Sequence, residues 1–310
     1  MRLSVIVPCY NEEGNVKRFY EETVRALGDE LMRDTELIFV NDGSRDATLA
    51  HLHEIYESSE YHVKVLSFSR NFGKEAALLA GLRAAEGELT SIIDADLQQR
   101  PEYILQMMEI LDTHPEYDAV ACYQNERKEG KLMSFVKTCF YKVIDSMTDV
   151  KIAQAASDFR LLRRPVVDAI LSLPEKCRFS KGIFAWVGFE TYLMPYTVEE
   201  RTEGTSKWNF WKLLKYAFSG IISFSDKPLI ISSIVGILLF CIAILMMIVV
   251  VIKTLIWGDP VAGFPTLCSL LLLLSGVQLL SVGILGQYMA KNYTETKDRP
   301  VYILKEELKK

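Results

Sequence analysis

The 310-residue sequence has no cysteine arrangement that would support a disulfide framework. Its six cysteines, Cys9, Cys122, Cys139, Cys177, Cys241 and Cys268, show neither compact pairing nor zinc-ligand spacing, so buried thiols in a reducing compartment are expected. At the amino terminus there is no basic stretch followed by an apolar run and a cleavage segment. A secretory peptide is therefore not expected, and Ser4 to Val7 read as the first strand of a cytoplasmic domain. Neither a dinucleotide glycine fingerprint nor a phosphate-loop lysine motif occurs, which disfavours hydride transfer and conventional nucleotide hydrolysis. There is no internal repeat or low-complexity tract. With a formal net charge of −5, the chain offers no broad basic surface, and nucleic acid is not an expected partner.

What the chain does have is an uneven distribution of its 50% hydrophobic residues. Two long apolar tracts, Leu229 to Ile252 and Phe264 to Met289, lie near the carboxyl end. The first contains 24 residues without a formal charge. As one helix it would reach about 36 Å, enough for a hydrocarbon core of roughly 30 Å. The short Lys253 to Gly263 connection favours an antiparallel hairpin. Lys207, Lys212, Lys215 and Lys227 precede it, and Lys291, Lys297 and Arg299 follow it, so the positive-inside rule puts both flanks in the cytoplasm. The expected arrangement is a multi-pass protein of the plasma or inner membrane, with catalytic domain and carboxyl terminus cytoplasmic. Gly276, Gly283 and Gly286 permit close helix approach, and a homo-oligomer is expected.

The first 125 residues alternate short apolar runs with helical spacing. Leu3 to Val7, Glu36 to Val40, Val63 to Ser67 and Leu89 to Ile93 are strand candidates, and Asp118 to Tyr123 extends the series. Val16, Phe19, Tyr20, Val24 and Leu27 share one helical face. The pattern predicts an α/β nucleotide-binding domain with a mainly parallel sheet, whose strand order it does not fix. Leu132 to Met147 carries another apolar stripe, suited to protein packing or a membrane interface. Trp208 to Phe224 is rich in aromatics beside lysines and reads as a membrane-contacting approach.

Asp94-Ala95-Asp96 follows the fourth strand candidate. A turn there can direct both carboxylates at one hard cation, Mg2+ or Mn2+, that bridges to phosphate oxygens, with Gln98 as a further oxygen; a solvated turn is the alternative. Asp42, followed by Gly43, could accept hydrogen bonds from hydroxyl or base groups, or simply form a turn. Pro8, Tyr10 and Glu12 could close around a base. Arg70 and Lys74 flank Gly73 at a strand-to-helix junction and could meet phosphate. Arg201 to Lys207, with Ser206, could form a phosphate clamp or serve membrane orientation.

In this order, Val7 to Glu12, Val40 to Ser44, Ser69 to Lys74, Asp94 to Gln98, Ser157 to Arg160 and Arg201 to Lys207, followed by the apolar pair, resemble the polyprenyl-phosphate glycosyltransferases of glycosyltransferase family two. That family includes the bacterial undecaprenyl-phosphate glucosyltransferases and the dolichol-phosphate mannose synthases. The resemblance implies an A-type glycosyltransferase fold with a C-terminal two-helix transmembrane hairpin. It also implies inverting, metal-dependent transfer of one hexose from a UDP-sugar to undecaprenyl or related polyprenyl phosphate. UDP-glucose is the expected donor; UDP-N-acetylglucosamine and an inactive membrane scaffold are the alternatives.

By the same resemblance, Pro8, Tyr10, Glu12, Asp42, Arg70, Lys74, Asp94 and Gln98 bind the donor, and Asp94, Asp96 and Gln98 hold the metal. Asp158, Asp96 and Arg160 are catalytic, with Asp158 positioning the acceptor. Arg201, Ser206 and Lys207 bind acceptor phosphate. The pattern departs at Asn125 to Lys128, where relatives carry two arginines, and Arg127 and Lys128 take that acceptor-binding place. The expected organisation is a catalytic domain over 1–205, a juxtamembrane segment over 206–228, the hairpin over 229–289 and a cytoplasmic tail over 290–310. The lipid bilayer, a separate flippase and a downstream glycosyltransferase are the expected partners.

Overall fold

The computed structural model describes residues 1–124, 156–197, 227–257 and 263–309. Arg127, Lys128, Arg201, Ser206 and Lys207 lie outside these, as do the 132–147 stripe and the 208–224 segment. The described residues form two compact units: a sheet unit of 1–124, 156–197 and 299–309, and a helical unit of 227–257 and 263–298.

In the sheet unit, β1 (Leu3–Cys9), β2 (Thr35–Asn41), β3 (His62–Phe68) and β4 (Leu89–Ile92) are linked by α1 (Val16–Met32), α2 (Thr48–Ser58) and α3 (Lys74–Ala84). After them come α4 (Glu102–Thr113), β5 (Ala119–Gln124), β6 (Ala156–Arg163), α5 (Arg164–Ser172), α6 (Ser180–Trp186) and β7 (Thr191–Tyr196). All five strand candidates from the sequence are present. The sheet has eight strands in the order β7-β5-β6-β4-β1-β2-β3-β8, where β8 is Leu304–Lys309. Its centre, β4-β1-β2-β3, is parallel, while β6 runs antiparallel to β4 and β5, and β8 antiparallel to β3.

Parallel strands buried on both faces need near-continuous apolar runs, and β1 and β2 have them. Alternate side chains divide between two faces. Val5, Val7, Leu37, Phe39, Val63 and Val65 join Phe19, Leu52, Ile55 and Ile104 in one core. On α1, Val16, Phe19 and Leu27 are buried, with Tyr20 and Val24 packed at the margin. Ile6 points the other way, against α3. A Cβ on Gly81 would sit 2.2 Å from Ile6 Cγ2, so α3 lies on β1 at a distance that only glycine allows. From β1 the chain steps outward to β2 and β3, and α3 then returns it to place β4 on β1's other side. The carboxyl ends of β1 and β4 therefore flank a topological switch point, where open α/β sheets bind ligands.

The opposite end of the sheet holds a buried charge cluster. Glu36, fully buried, accepts from Ser4 Oγ at 2.5 Å and the Glu86 amide at 2.6 Å, and pairs with Lys64 Nζ at 2.6 Å. Lys64 also meets Glu86 at 2.7 Å and donates to the Ala84 carbonyl at 3.1 Å. Burial disfavours the Lys64 charge, but the two glutamates outweigh it and hold its pKa above the usual value. Glu36→Ala is expected to destabilise the protein by about 3–5 kcal/mol, because it takes from the buried Lys64 ammonium its fully buried partner and leaves only the exposed Glu86 and the Ala84 carbonyl; Glu36→Leu with Lys64→Met should recover most of that loss. Chemical unfolding midpoints of the two variants check both expectations.

The helical unit contains α7 (Lys227–Trp257) and α8 (Phe264–Thr296), which contact one another. Their apolar side chains are widely exposed, including Ile237, Leu245, Leu279 and Leu280. Among the described residues one stretch, Leu273–Thr296, is long and apolar enough to cross a membrane, with a mean hydropathy of 1.4; Ile234–Met246 is a shorter apolar run. By that measure the described residues supply one candidate span where the sequence reading expected two. Of the cysteines, Cys9 and Cys122 are buried as expected, whereas Cys177 is half-buried and Cys241 exposed. Burial raises the Cys122 thiol to about 12, which keeps it protonated.

Candidate active site

The loops that leave the carboxyl ends of β1 to β4 surround a cavity of about 300 Å³. Pro8, Tyr10 and Glu12 line it from β1, Asp42 from β2, Lys74 from the start of α3, and Asp94 and Asp96 from the turn after β4. Arg70 and Gln98 stand outside this lining. The Arg70 guanidinium lies 4.2 Å from the Phe72 ring centroid, and the Gln98 amide donates to Asp96 Oδ1 at 3.2 Å.

The loops are laced together by their own polar groups. The Asn11 amide donates to Ser44 Oγ at 3.0 Å, and Asn11 Oδ1 accepts from the Arg45 amide at 2.9 Å. Glu12 receives the Asn15 side-chain amide at 2.7 Å, while its own amide donates to Thr48 Oγ1 at 2.9 Å. Asp42 is held from the next loop, with the Phe72 and Gly73 amides donating to its two oxygens at 2.6 and 2.9 Å. Burial raises the Asp42 pKa against the lowering effect of those two amides. Gly43 has φ +63°, and a Cβ there would lie 2.3 Å from the Arg70 carbonyl carbon. Only glycine lets the β2 and β3 loops approach this closely.

Lys74 is the electrostatic centre. Its ammonium contacts Asp94 Oδ1 and Oδ2 at 2.7 and 3.0 Å and Asp158 Oδ2 at 2.9 Å. Burial opposes the Lys74 charge, but the two carboxylates outweigh it and hold the pKa well above the usual lysine value. For Asp158 the same contest runs the other way: burial raises its pKa, and Lys74 with Lys181 brings the net value below the usual carboxylate range. Arg160, on the same strand, is buried, donates to the Ser157 carbonyl at 2.8 Å and lies over Phe184 with its guanidinium carbon 3.5 Å from the ring centroid. Burial lowers its pKa to about 10.

Three contributors escaped the sequence reading. Glu75, beside Lys74, accepts from the Ser180 amide at 2.9 Å and from the Ser180 hydroxyl, tying α3 to α6. Lys181, next in α6, adds positive potential at Asp158. Gln99 rather than its neighbour Gln98 receives the Asp94 amide, at 3.2 Å. An acidic residue in the first turn of α3 was the only local signal for any of them. Between Asp96 and Gln98, Leu97 adopts φ 58°, a strained conformation for such a side chain, here fixed by burial.

The donor set at Asp94 and Asp96 consists of hard carboxylate oxygens. No group of three His, Cys, Asp or Glu residues suited to a metal occurs among the described residues. Two carboxylates suit a cation of the magnesium type, which is commonly held by one or two carboxylates and completed by substrate phosphates and water. Asp94 has both oxygens on Lys74, and Asp96 Oδ1 accepts from the Gln98 amide.

A family model described as Glycosyl transferase family 2 matches residues 4–171. Along its whole length the chain is 40% identical over 311 residues to the bactoprenol glucosyl transferase of Shigella phage SfV, covering 100% of both. It is 39% identical over 306 residues to the prophage bactoprenol glucosyl transferase homolog of Escherichia coli (strain K12), covering 98% of this chain and 99% of that one. Among solved structures, glucosyl-3-phosphoglycerate synthase from Mycobacterium tuberculosis, in complex with Mn2+, uridine diphosphate and glucosyl-3-phosphoglycerate, aligns with a TM-score of 0.50. The alignment covers 71% of this chain and 77% of that chain at 18% identity, a likeness of fold. Parallel sheet, switch-point cavity and full-length relatives agree: the chain belongs to glycosyl transferase family 2 and has its A-type α/β fold.

Proposed function

We propose that the protein transfers one glucose, with inversion, from UDP-glucose to undecaprenyl or a related polyprenyl phosphate at the cytoplasmic face of a membrane. The observation that carries this reading is the 40% identity over the whole of both chains with a bactoprenol glucosyl transferase. The cavity has groups suited to the chemistry. Pro8, Tyr10 and Glu12 close around the base, and Asp42, fixed by two amides, accepts from base or ribose. Asp94 and Asp96 face the donor diphosphate, with Arg70 at the entrance.

An anionic oxygen of the acceptor phosphate attacks the anomeric carbon while the carbon–oxygen bond to the diphosphate breaks, and the bonding pair leaves with UDP. Asp96 and Asp94, with Gln98 close by, would hold Mg2+ or Mn2+, which would supply Lewis-acid neutralisation of the diphosphate when bound. Lys74 brings a second positive charge to the same side of the cavity. Asp158 orients the acceptor; since the attacking oxygen is already anionic, its deprotonation is not required. Arg160 keeps the β6 segment around Asp158 in place. Arg127, Lys128, Arg201, Ser206 and Lys207 complete the acceptor-phosphate clamp.

The proposed anchor has two spans, the Leu229 to Ile252 and Phe264 to Met289 tracts, the second overlapping the Leu273–Thr296 stretch, with both flanks cytoplasmic. It localises catalysis and leaves flipping of the product to another protein.

The deciding experiment offers purified protein undecaprenyl phosphate and a balanced panel of nucleotide sugars, with products identified by mass spectrometry. A glucosyl phospholipid of inverted configuration plus UDP is expected. An N-acetylglucosaminyl product would replace the donor assignment, and no lipid product from folded protein would favour a scaffold. Gly43→Ala should push the Arg70 to Gly73 loop off Asp42 and lower kcat/KM for the donor by about 100-fold, a loss typical of a displacement near 1 Å at a reactive site. A donor titration of that variant checks this.

A further inference from the structure

Beyond α8 the chain returns to the sheet, and β8 pairs with β3 from Lys64↔Lys309 to Phe68↔Leu304. The Ser69 amide donates to the Ile303 carbonyl at 3.0 Å, at the point where β3 becomes the cavity loop. Tyr302 stacks on Phe68, with ring centroids 4.9 Å apart and planes 13° from parallel. Phe68 meets Phe72 edge-on at 5.8 Å, and the Phe72 amide is the one that donates to Asp42 at 2.6 Å. The Arg83 guanidinium lies 5.6 Å from the Tyr302 ring centroid. At the far end of β8, Tyr56 Oη donates to the Lys309 carbonyl at 2.8 Å.

We infer that Tyr302 is a positioning residue for the donor cavity: by stacking on Phe68 it fixes the Ser69 to Lys74 loop that orients Asp42 and presents Lys74. Tyr302 touches no reacting group, and its effect passes through two aromatic contacts and one amide. The inference rests on the reading of the cavity as a donor site. A strand that only covered the β3 edge would need pairing, which any side chain at position 302 allows. Direct stacking on the residue that precedes the loop adds a requirement on the side chain itself.

The test uses the full chain in detergent, with hydrogen exchange of the peptide spanning Ser69 to Lys74 and the KM values for donor and acceptor. Tyr302→Leu should speed exchange in that peptide and raise donor KM, each by about tenfold, with acceptor KM unchanged. Tyr302→Phe keeps the stack and should match the wild type in both. Tyr56→Phe, which loosens only the far end of β8, should also match. Arg83→Met uncovers Tyr302 without altering the strand and gives a milder disruption in the same direction, useful if Tyr302→Leu does not accumulate as folded protein. Wild-type exchange and donor KM in folded Tyr302→Leu, or in Arg83→Met where that variant alone folds, would overturn the inference. Faster exchange in a protein whose wild type transfers no sugar would uphold the coupling and reject the donor-site reading instead.

Discussion

Asp96→Asn should reduce turnover by about 1000-fold, equivalent to roughly 4 kcal/mol of transition-state stabilisation, while leaving the folded state intact. Asparagine keeps the shape and an oxygen for the Gln98 amide, which donates to Asp96 at 3.2 Å in the native protein. What it removes is the negative charge that a hard divalent cation needs. Asp94 cannot readily substitute, because both its oxygens engage Lys74. Turnover should be followed across a Mg2+ and Mn2+ titration, with thermal unfolding as the control for folding. Wild-type metal-dependent turnover in a folded variant would remove Asp96 from the proposed metal site.

The second large effect is expected at Asp158. Asp158→Asn should lower kcat by about 100- to 10,000-fold, the span associated with loss of a group that assists proton transfer or holds the reactant in line. Its net pKa lies below the usual carboxylate range, since Lys74 and Lys181 outweigh burial. The carboxylate therefore stays ionised through the neutral range, and its protonation should give no acid limb in the wild-type profile between about pH 6 and 9. If Asp158 chiefly positions the acceptor, the asparagine variant will raise acceptor KM along with the fall in kcat and keep the shape of that profile. An unchanged acceptor KM with a lower kcat would move the role to proton transfer. Full activity would leave Asp158 as a partner of Lys74 alone.

The parallel core was legible because its strands are buried on both faces and so appear as apolar runs between turn residues, as in Leu37 to Val40. The cavity was legible in outline for a related reason. Ligand-binding loops follow strand ends, and Asp42 and Asp94 stand just beyond β2 and β4. The assembly of those groups was not legible. Lys74 joins Asp94 to Asp158, residues that only the antiparallel pairing of β6 with β4 brings together, and no local pattern encodes that pairing. Glu75 and Ser180 meet for the same reason across an even longer stretch of chain. β8 was not legible: the sequence reading places 290–310 in a tail, and Leu304 to Lys309 is mostly charged rather than an apolar run. An edge strand with one open side can carry charges that a central strand cannot, and they protect it from unwanted pairing.

That edge strand sets an order of events during synthesis. β8 follows α8 in sequence, so β3 keeps an open edge until both long helices have left the ribosome. At about 5–20 residues per second, that interval is on the order of ten to fifty seconds. Throughout it, the sheet offers a free row of hydrogen-bonding groups to any passing strand or chaperone. The sheet thus cannot acquire its last strand before both long helices have been made, so its edge is sealed only after the most apolar part of the described chain has been synthesised.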